Sequence, residues 1–359
     1  MAKQKNEKTA KKIKQKLIEI KKRPLNPFSK SCDKISTPKV EFISSLVAER
    51  DKTSVNLALI SLPTPENYKW KICSILEKKY HSIDHDACRR QLISYPTQTA
   101  ENLMKNYEYA LKIALKKLKA NIVCINELGF PSYSLKPWKK AINLTKRLAE
   151  EYNSLIIAGS SHDSRTMYNS GHLFYPGCKP SGTHYHKQVS ATREHECVNT
   201  PAERKTLYTN VFGLRLAILI CLDLADYSTV ASIVKLQDAI DLLLIPCYST
   251  SFDSFKRIAI CASAAMPGMV ALVNCYREGE LSSYFYSIDK PITKKPDQIK
   301  VLLKKPDQIK VLPRNRGEIR LYKIRIKPFR KSKLEQQDRC DDSLKWLFGL
   351  EDQKLRSNS

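Results

Sequence analysis

Three residues of the chain stand at the end of a predicted strand or in a following loop and carry side chains that could do chemistry. They are Glu127 after "NIVCIN", Lys187 in "HYHKQ" and Cys221 after "LAILI". A thiol becomes a useful nucleophile at neutral pH when a base or a cation lies beside it. A nearby carboxylate can accept the thiol proton and later deliver it to a leaving amine. An ammonium group can stabilise the oxyanion that forms when a carbonyl or nitrile carbon is attacked. The three residue types together therefore predict nucleophilic catalysis by a cysteine that has no histidine partner.

Each of these residues also has a simpler interpretation. A cysteine at the end of a buried strand is more often a packing residue than a nucleophile. The glutamate before "LGFP" could cap a turn, and Lys187 is one of 62 Lys and Arg residues. Asp223 stands two positions after Cys221 and places a carboxylate near the thiol without indicating its role. Only the combination of the three residues points to a common site.

The elements around these residues alternate between strands and helices. Core strands are predicted by "SVNLALISLP", "NIVCINE", "SLIIAGSS", "YNSGHLFYP", "LRLAILI", "DLLLIP" and "MVALVNC". Helices are predicted from Ala100 to Leu118 and by "PWKKAINLTKRLAEEY", "STVASIVKLQDA" and "FKRIAICASAA". This order predicts an α/β sandwich with extensive sheet. With ten glycines in the chain and no glycine-rich turn, a phosphate-binding loop is not expected.

The order of Glu, Lys and Cys in these settings resembles the nitrilase or carbon–nitrogen hydrolase superfamily. "NIVCINELGFP" resembles the segment that carries its general base, "GTHYHKQVS" its lysine motif and "LAILICLDLAD" its nucleophile segment. The resemblance implies Glu127 as base, Lys187 as oxyanion-stabilising cation and Cys221 as nucleophile. It further implies that the backbone N–H of Leu222 completes the oxyanion hole, and that Glu194 or Glu196 is a second glutamate of the site.

The resemblance extends over about residues 54–326 and implies an α-β-β-α sandwich that assembles into dimers or larger homo-oligomers. It implies no metal and no organic cofactor. The chain departs from the family pattern at Asn126, where proline is frequent. It departs again after the cysteine, where Leu222 replaces an aromatic residue and "LAD" replaces an Arg-Phe-Pro-like run. These positions shape a substrate pocket more than the bond-making step, so the substrate class stays open among amides, carbamoyl compounds and nitriles.

The net charge of +26 is the strongest anomaly of the composition. Residues 1–39 hold 13 Lys and Arg against three acidic residues. A basic balance of this size favours polyanions such as nucleic acid or an anionic membrane. A solubilising surface explains the same charge, and the arm lacks the interleaved aromatic residues of a single-strand binding surface.

The chain divides into a basic, mobile arm (1–50), a carbon–nitrogen hydrolase domain (51–335) and a C-terminal extension (336–359). The domain contains an insertion at 64–98 and a tandem repeat at 294–313, in which "KKPDQIKVLL" is followed by "KKPDQIKVLP". Two tandem copies are too few for a solenoid, so the repeat is predicted to be an insertion in an exposed loop.

Eleven scattered cysteines without a CxxC pair indicate free thiols and neither a zinc site nor a disulfide framework. Without an apolar run of membrane-spanning length or a secretory signal, a cytoplasmic location is expected.

The leading functional hypothesis is a cysteine-dependent hydrolase that cleaves a non-peptide C–N bond through a thioester acyl-enzyme. One alternative is a nitrilase-fold binding module that no longer catalyses. Another is a polyanion- or nucleic-acid-binding protein that acts through its basic arm, although the sequence contains no recognisable nucleic-acid-binding module.

Overall fold

The computed structural model describes residues 39–47, 53–63, 97–131, 136–162, 168–179, 181–189, 205–226, 229–230, 240–249, 268–277, 282–287, 302–303, 305–313 and 316–326. Within these residues the strands form two seven-stranded mixed sheets. The predicted fold class, a mixed α/β architecture built on two sheets, is confirmed.

The first sheet has the order β1-β7-β8-β9-β10-β11-β12. Its strands are β1 (Lys39–Val47), β7 (Lys205–Val211), β8 (Leu214–Ile218), β9 (Leu242–Pro246), β10 (Met269–Val273), β11 (Ser283–Ser287) and β12 (Leu302–Leu303). Strands β8, β9 and β10 are parallel, so their carboxyl ends meet at one edge of the sheet. Chain that leaves these ends can converge on a common site.

The second sheet has the order β13-β14-β2-β3-β4-β5-β6. Its strands are β2 (Ser54–Ser61), β3 (Ile122–Ile125), β4 (Leu155–His162), β5 (Asn169–Phe174), β6 (Thr183–His186), β13 (Gln308–Val311) and β14 (Glu318–Arg325). Strands β2, β3 and β4 are parallel, whereas β5 and β6 return antiparallel beside them. Because β6 is antiparallel to β5, it runs in the same direction as β3 and β4. The residue after β6 therefore lies at the same edge of the sheet as the residues after β3.

The two sheets share one apolar core, because alternate residues of each strand point to opposite faces. Leu57, Leu59 and Cys124 of the second sheet cluster with Leu216 and Leu244 of the first. The intervening residues of β2, β3 and β4 face a second core formed with two helices. These helices are α1 (Thr97–Lys112), which continues as a π-helical turn at Ile113–Lys117, and α2 (Lys136–Glu151).

Helices α1 and α2 each carry apolar residues along one face, and this face packs on the second sheet. Leu103, Tyr107 and Leu111 of α1 recur at a spacing of four, and Ile142 and Leu148 of α2 meet them on the sheet. The helices predicted from "STVASIVKLQDA" and "FKRIAICASAA" lie almost entirely outside the described residues, as does the insertion at 64–98 except for its last two residues, which begin α1. No helix in the described ranges has the length and apolar character needed to cross a membrane.

Two features of the chain differ from the sequence-based division. The stretch 1–50 assigned to the basic arm contains β1, which pairs in parallel with β7, so its last part belongs to the sheet. The density of lysines falls in "KVEFISSLV", where β-branched and aromatic residues favour a strand.

The tandem repeat contributes strands rather than only loop: residues 302–303 of the first copy form β12, and residues 308–311 of the second form β13. The two copies thus supply edge strands to different sheets.

Candidate active site

Glu127 lies on a tight turn just beyond β3. The Gly129 N–H donates to the Asn126 carbonyl oxygen at 3.0 Å, and Leu128 has a φ of +59°. A positive φ at this position of a turn is unusual for leucine, so the surroundings must hold it. Asn126 does so, because its Oδ1 accepts from the Leu62 N–H at 2.7 Å and its Nδ2 donates to the Glu127 carbonyl at 2.9 Å.

The fully buried Glu127 carboxylate accepts three hydrogen bonds. Oε1 receives one from Lys187 Nζ at 2.9 Å and one from Asn169 Nδ2 at 2.7 Å. Oε2 receives the third from the Tyr248 N–H at 2.7 Å. A buried charge is tolerated when it is paired and hydrogen-bonded, and Glu127 meets both conditions.

Lys187 follows β6 directly and is buried with only 2% of its surface exposed. Its backbone N–H donates to the Asn169 carbonyl at 2.9 Å, so Asn169 holds the lysine backbone while its side-chain amide holds the lysine's carboxylate partner. A lysine is rarely this buried without a function for its charge or a partner for it. Here the Glu127 carboxylate is that partner.

Cys221 opens a short 3₁₀ turn, Cys221–Ala225, which is separated from the end of β8 by two residues. Its φ of +50° lies in the left-handed region, which is costly for a residue with a Cβ. Strained conformations of this kind concentrate at functional sites. The Cys221 side chain is 3% exposed, and its Sγ lies 3.8 Å from the Tyr248 carbonyl oxygen, to which it donates.

The backbone of Tyr248 therefore connects two of the candidate residues. Its N–H binds the Glu127 carboxylate, and its carbonyl accepts from the Cys221 thiol. The neighbouring thiol of Cys247 lies in the same environment. Burial raises the pKa of Cys247 well above its ordinary value, Cys221 and Glu127 raise it further, and the positive charge of Lys187 opposes them. The structure thus brings Glu127, Lys187 and Cys221 together beyond the carboxyl ends of β3, β6 and β8.

Asp223 does not turn towards the thiol that precedes it. Its Oδ1 accepts from the backbone N–H groups of Gln188 and Val189 at 2.8 and 2.9 Å. Its Oδ2 accepts from the Ile220 N–H at 3.1 Å. Burial raises the pKa of Asp223 to about 7, while Lys187 and the three backbone hydrogen bonds act in the opposite direction.

The remaining predicted residues have different outcomes. Leu222 lies in the 3₁₀ turn and is partly buried against the inter-sheet core. Glu194 and Glu196 lie outside the described residues. The five described cysteines, Cys124, Cys178, Cys221, Cys247 and Cys275, are free thiols. In the described part of the chain, no three His, Cys, Asp or Glu side chains are arranged to hold a metal ion.

The sequence did not indicate that Asn169 and Tyr248 bind the Glu127 carboxylate beside Lys187. Asn169 begins an ordinary-looking strand, and Tyr248 acts through its backbone, which carries no residue-specific signal. Asp223 was visible in "CLD", but two of its three partners, Gln188 and Val189, lie on a different loop. The only sequence signal was the position of each residue at a strand end.

Comparison with known proteins gives structural neighbours but no sequence relatives. No family model matches the chain, and no curated protein matches it in sequence. Among solved structures, the chain is similar to Saccharomyces cerevisiae Nit3, a member of branch 10 of the nitrilase superfamily. The TM-score is 0.47 and the identity 13%, over 83% of this chain and 96% of that one.

Two further neighbours have comparable scores. A carbon–nitrogen hydrolase from Helicobacter pylori G27 has a TM-score of 0.45 and 13% identity, over 82% of this chain and 94% of that one. An amidase from Nesterenkonia sp. has a TM-score of 0.43 and 13% identity, over 77% and 92%.

Proposed function

We propose that this protein is a cysteine-dependent hydrolase that cleaves a non-peptide carbon–nitrogen bond through a thioester acyl-enzyme. The observation that carries the proposal is the connection among three buried residues. Glu127 is ion-paired with Lys187 at 2.9 Å, and it is linked to Cys221 through the backbone of Tyr248. The substrates are small amides, carbamoyl compounds or nitriles.

The first step is attack by the Cys221 sulfur on the electrophilic carbon. A carboxylate has about four acceptor positions, and three of those on Glu127 are occupied by Lys187, Asn169 and Tyr248. The remaining position on Oε2 accepts the thiol proton as the carbon–sulfur bond forms. The Lys187 ammonium and the Leu222 N–H stabilise the negative oxygen that develops on an amide substrate.

The second half of the reaction returns the enzyme to its starting state. The tetrahedral adduct collapses, the proton held by Glu127 passes to the departing nitrogen, and ammonia or an amine leaves. Glu127 then removes a proton from water, whose oxygen attacks the thioester carbon. The carbon–sulfur bond breaks, the carboxylic acid leaves, and the proton on Glu127 passes to the departing sulfur, which restores the Cys221 thiol and the carboxylate.

The test is a screen for ammonia or amine release across amides, carbamoyl compounds and nitriles. For a compound that is hydrolysed, Cys221→Ala should abolish turnover because no nucleophile remains. Cys178→Ala is the matched control, because Cys178 is a buried thiol in the helical core. Turnover by Cys221→Ala at the wild-type rate would contradict the mechanism, and the absence of turnover by the wild type on every compound would contradict the function.

A second proposed role concerns the basic arm. The excess of ten positive charges in residues 1–39 favours contact with a polyanion, independently of the chemistry at Cys221. Residue 39 begins β1, so the arm relevant to this role is residues 1–38. We further expect a homo-oligomer, which sedimentation of the purified protein would reveal.

A further inference from the structure

The carboxylate of Asp223 joins two segments that meet at the candidate active site. Its Oδ1 holds the backbone N–H groups of Gln188 and Val189, the two residues that follow Lys187. Its Oδ2 holds the N–H of Ile220, the residue before Cys221. One buried side chain therefore fixes the backbone next to the ammonium and the backbone next to the thiol.

We propose that Asp223 is a positioning residue that sets the Lys187 ammonium relative to the Cys221 sulfur. This inference deepens the proposed function and rests on it for its catalytic meaning. Asp223 needs no contact with substrate for this role. It acts through Lys187, whose ammonium must face the reacting centre, and through the strained backbone that aims Cys221.

The electrostatics of the site agree with a positioning role. Asp223 is 1% exposed, and burial of a carboxylate is unfavourable unless hydrogen bonds and a cation compensate. Three backbone N–H groups and Lys187 supply part of that compensation, and burial outweighs them. Lys187 is thus shared by two carboxylates, because Glu127 binds its ammonium directly and Asp223 holds the backbone that follows it. Tyr185, which precedes Lys187 by two residues, also feels both carboxylates.

The arrangement has a pH-dependent consequence. Burial raises the pKa of Asp223 to about 7, so the carboxylate that accepts the three N–H groups predominates only above neutral pH. A protonated carboxyl group loses acceptor strength on one oxygen, and the connection between the two segments weakens. The Lys187 ammonium opposes the rise in the pKa of Asp223, and the Asp223 carboxylate in turn helps to raise the pKa of the Tyr185 hydroxyl.

The experiment is a double-mutant cycle that uses the alkylation of Cys221 by iodoacetamide as its readout. The four proteins are the wild type, Asp223→Asn, Lys187→Met and the double variant, and peptide mapping gives the rate constant for Cys221 at pH 8. Asp223→Asn should slow alkylation about 10- to 100-fold, the range expected for loss of one charge-assisted hydrogen bond. In the Lys187→Met background the same change should have an effect of about threefold or less, because residues that act as a unit are not additive.

Asp226→Asn is the matched control. Asp226 stands at the end of the same turn, and its carboxylate accepts from the Thr229 N–H and Oγ1 at 2.8 and 2.6 Å, which ties it to the residues after the turn. The rate for Asp226→Asn should equal that of the wild type. An Asp223→Asn rate equal to that of the wild type would overturn the proposal. The proposal would also be overturned if Asp223→Asn lowered the alkylation rate of Cys221 by the same factor with and without the Lys187 side chain, because Asp223 would then be a purely structural residue.

A second measurement needs no Asp223 variant, in case that variant does not fold. The ratio of wild-type to Lys187→Met alkylation rates should fall towards one between pH 8 and pH 6, as Asp223 is protonated and Lys187 loses its position. A ratio independent of pH would overturn the proposal. Alkylation requires no substrate, so failure to find a hydrolysed compound would count against the proposed function and leave this test intact.

Discussion

Replacement of Glu127 by glutamine tests the reaction most directly, because the change keeps the shape of the side chain and removes its charge. The amide oxygen would occupy the Oε1 position, where Lys187 and Asn169 both donate. The amide nitrogen would then face the Tyr248 N–H, which now binds Oε2 at 2.7 Å, and two donors would oppose each other. The opposite orientation of the amide is worse, because it would confront two donors in place of one.

Two magnitudes follow from this geometry. Loss of the proton acceptor should lower kcat about 10²- to 10⁴-fold, the range for a general base. Removal of one partner from a buried ion pair should destabilise the fold by about 3–5 kcal/mol, because the Lys187 ammonium is left without its counter-charge. The variant should therefore be both nearly inactive and less stable, with the loss of activity visible at temperatures well below unfolding.

The assay compares initial rates of ammonia release and urea unfolding midpoints for Glu127→Gln and a control. Asp241→Asn is the matched control, because it also replaces an ion-paired carboxylate, which binds Arg215 Nε and Nη2 at 3.1 Å. Asp241 lies just before β9, at the opposite end of that strand from Tyr248. The control should retain wild-type turnover. A Glu127→Gln protein within about threefold of the wild-type rate, against the 10²-fold minimum for a base, would refute the role of Glu127.

Three further predictions can be checked on the same protein. Iodoacetamide at pH 8 should label Cys221 ahead of Cys124 and Cys247, because burial raises the pKa of both other thiols, and equal labelling in peptide maps would contradict this. Burial and the charge of His184 lower the pKa of His172 to about 3, so its neutral form stabilises the fold above pH 6.5 and this contribution is lost as the pH falls towards 3. His172→Phe should remove about 1.4 kcal/mol per pH unit from the slope of unfolding free energy in that window, and an unchanged slope in urea titrations would argue against a buried neutral histidine. Deletion of residues 1–38 should leave turnover unchanged and abolish a nucleic-acid association that weakens steeply between about 50 and 200 mM salt, whereas equal binding by both proteins would place the basic site on the folded domain.

The strands that could be predicted are those with strong apolar runs. Strands β2, β3, β4, β9 and β10 are buried along nearly their whole length, and each contains a run of apolar residues that predicts a buried strand. Strands β13 and β14 lack this signal. All four residues of β13 are exposed, and β14 carries Glu318 and Arg320 as an ion pair within its buried part. The tandem repeat that contains β13 was predicted to be an exposed loop, and no element was predicted for β14 although its apolar and charged residues alternate.

By itself, the sequence determined that Glu127 and Cys221 follow apolar strands, because a change from apolar to reactive residues can be read along the chain. Lys187 stands in a polar stretch, and only the resemblance of its motif drew attention to it. The sequence could not determine the partners of the site residues. Glu127 binds Tyr248, which is 121 residues away, and Asp223 binds Gln188 across 35 residues. Both contacts use backbone N–H groups, which every residue except proline possesses. Only the packing of two sheets decides which of these identical groups reaches a given carboxylate, and therefore only the tertiary structure assembled the site.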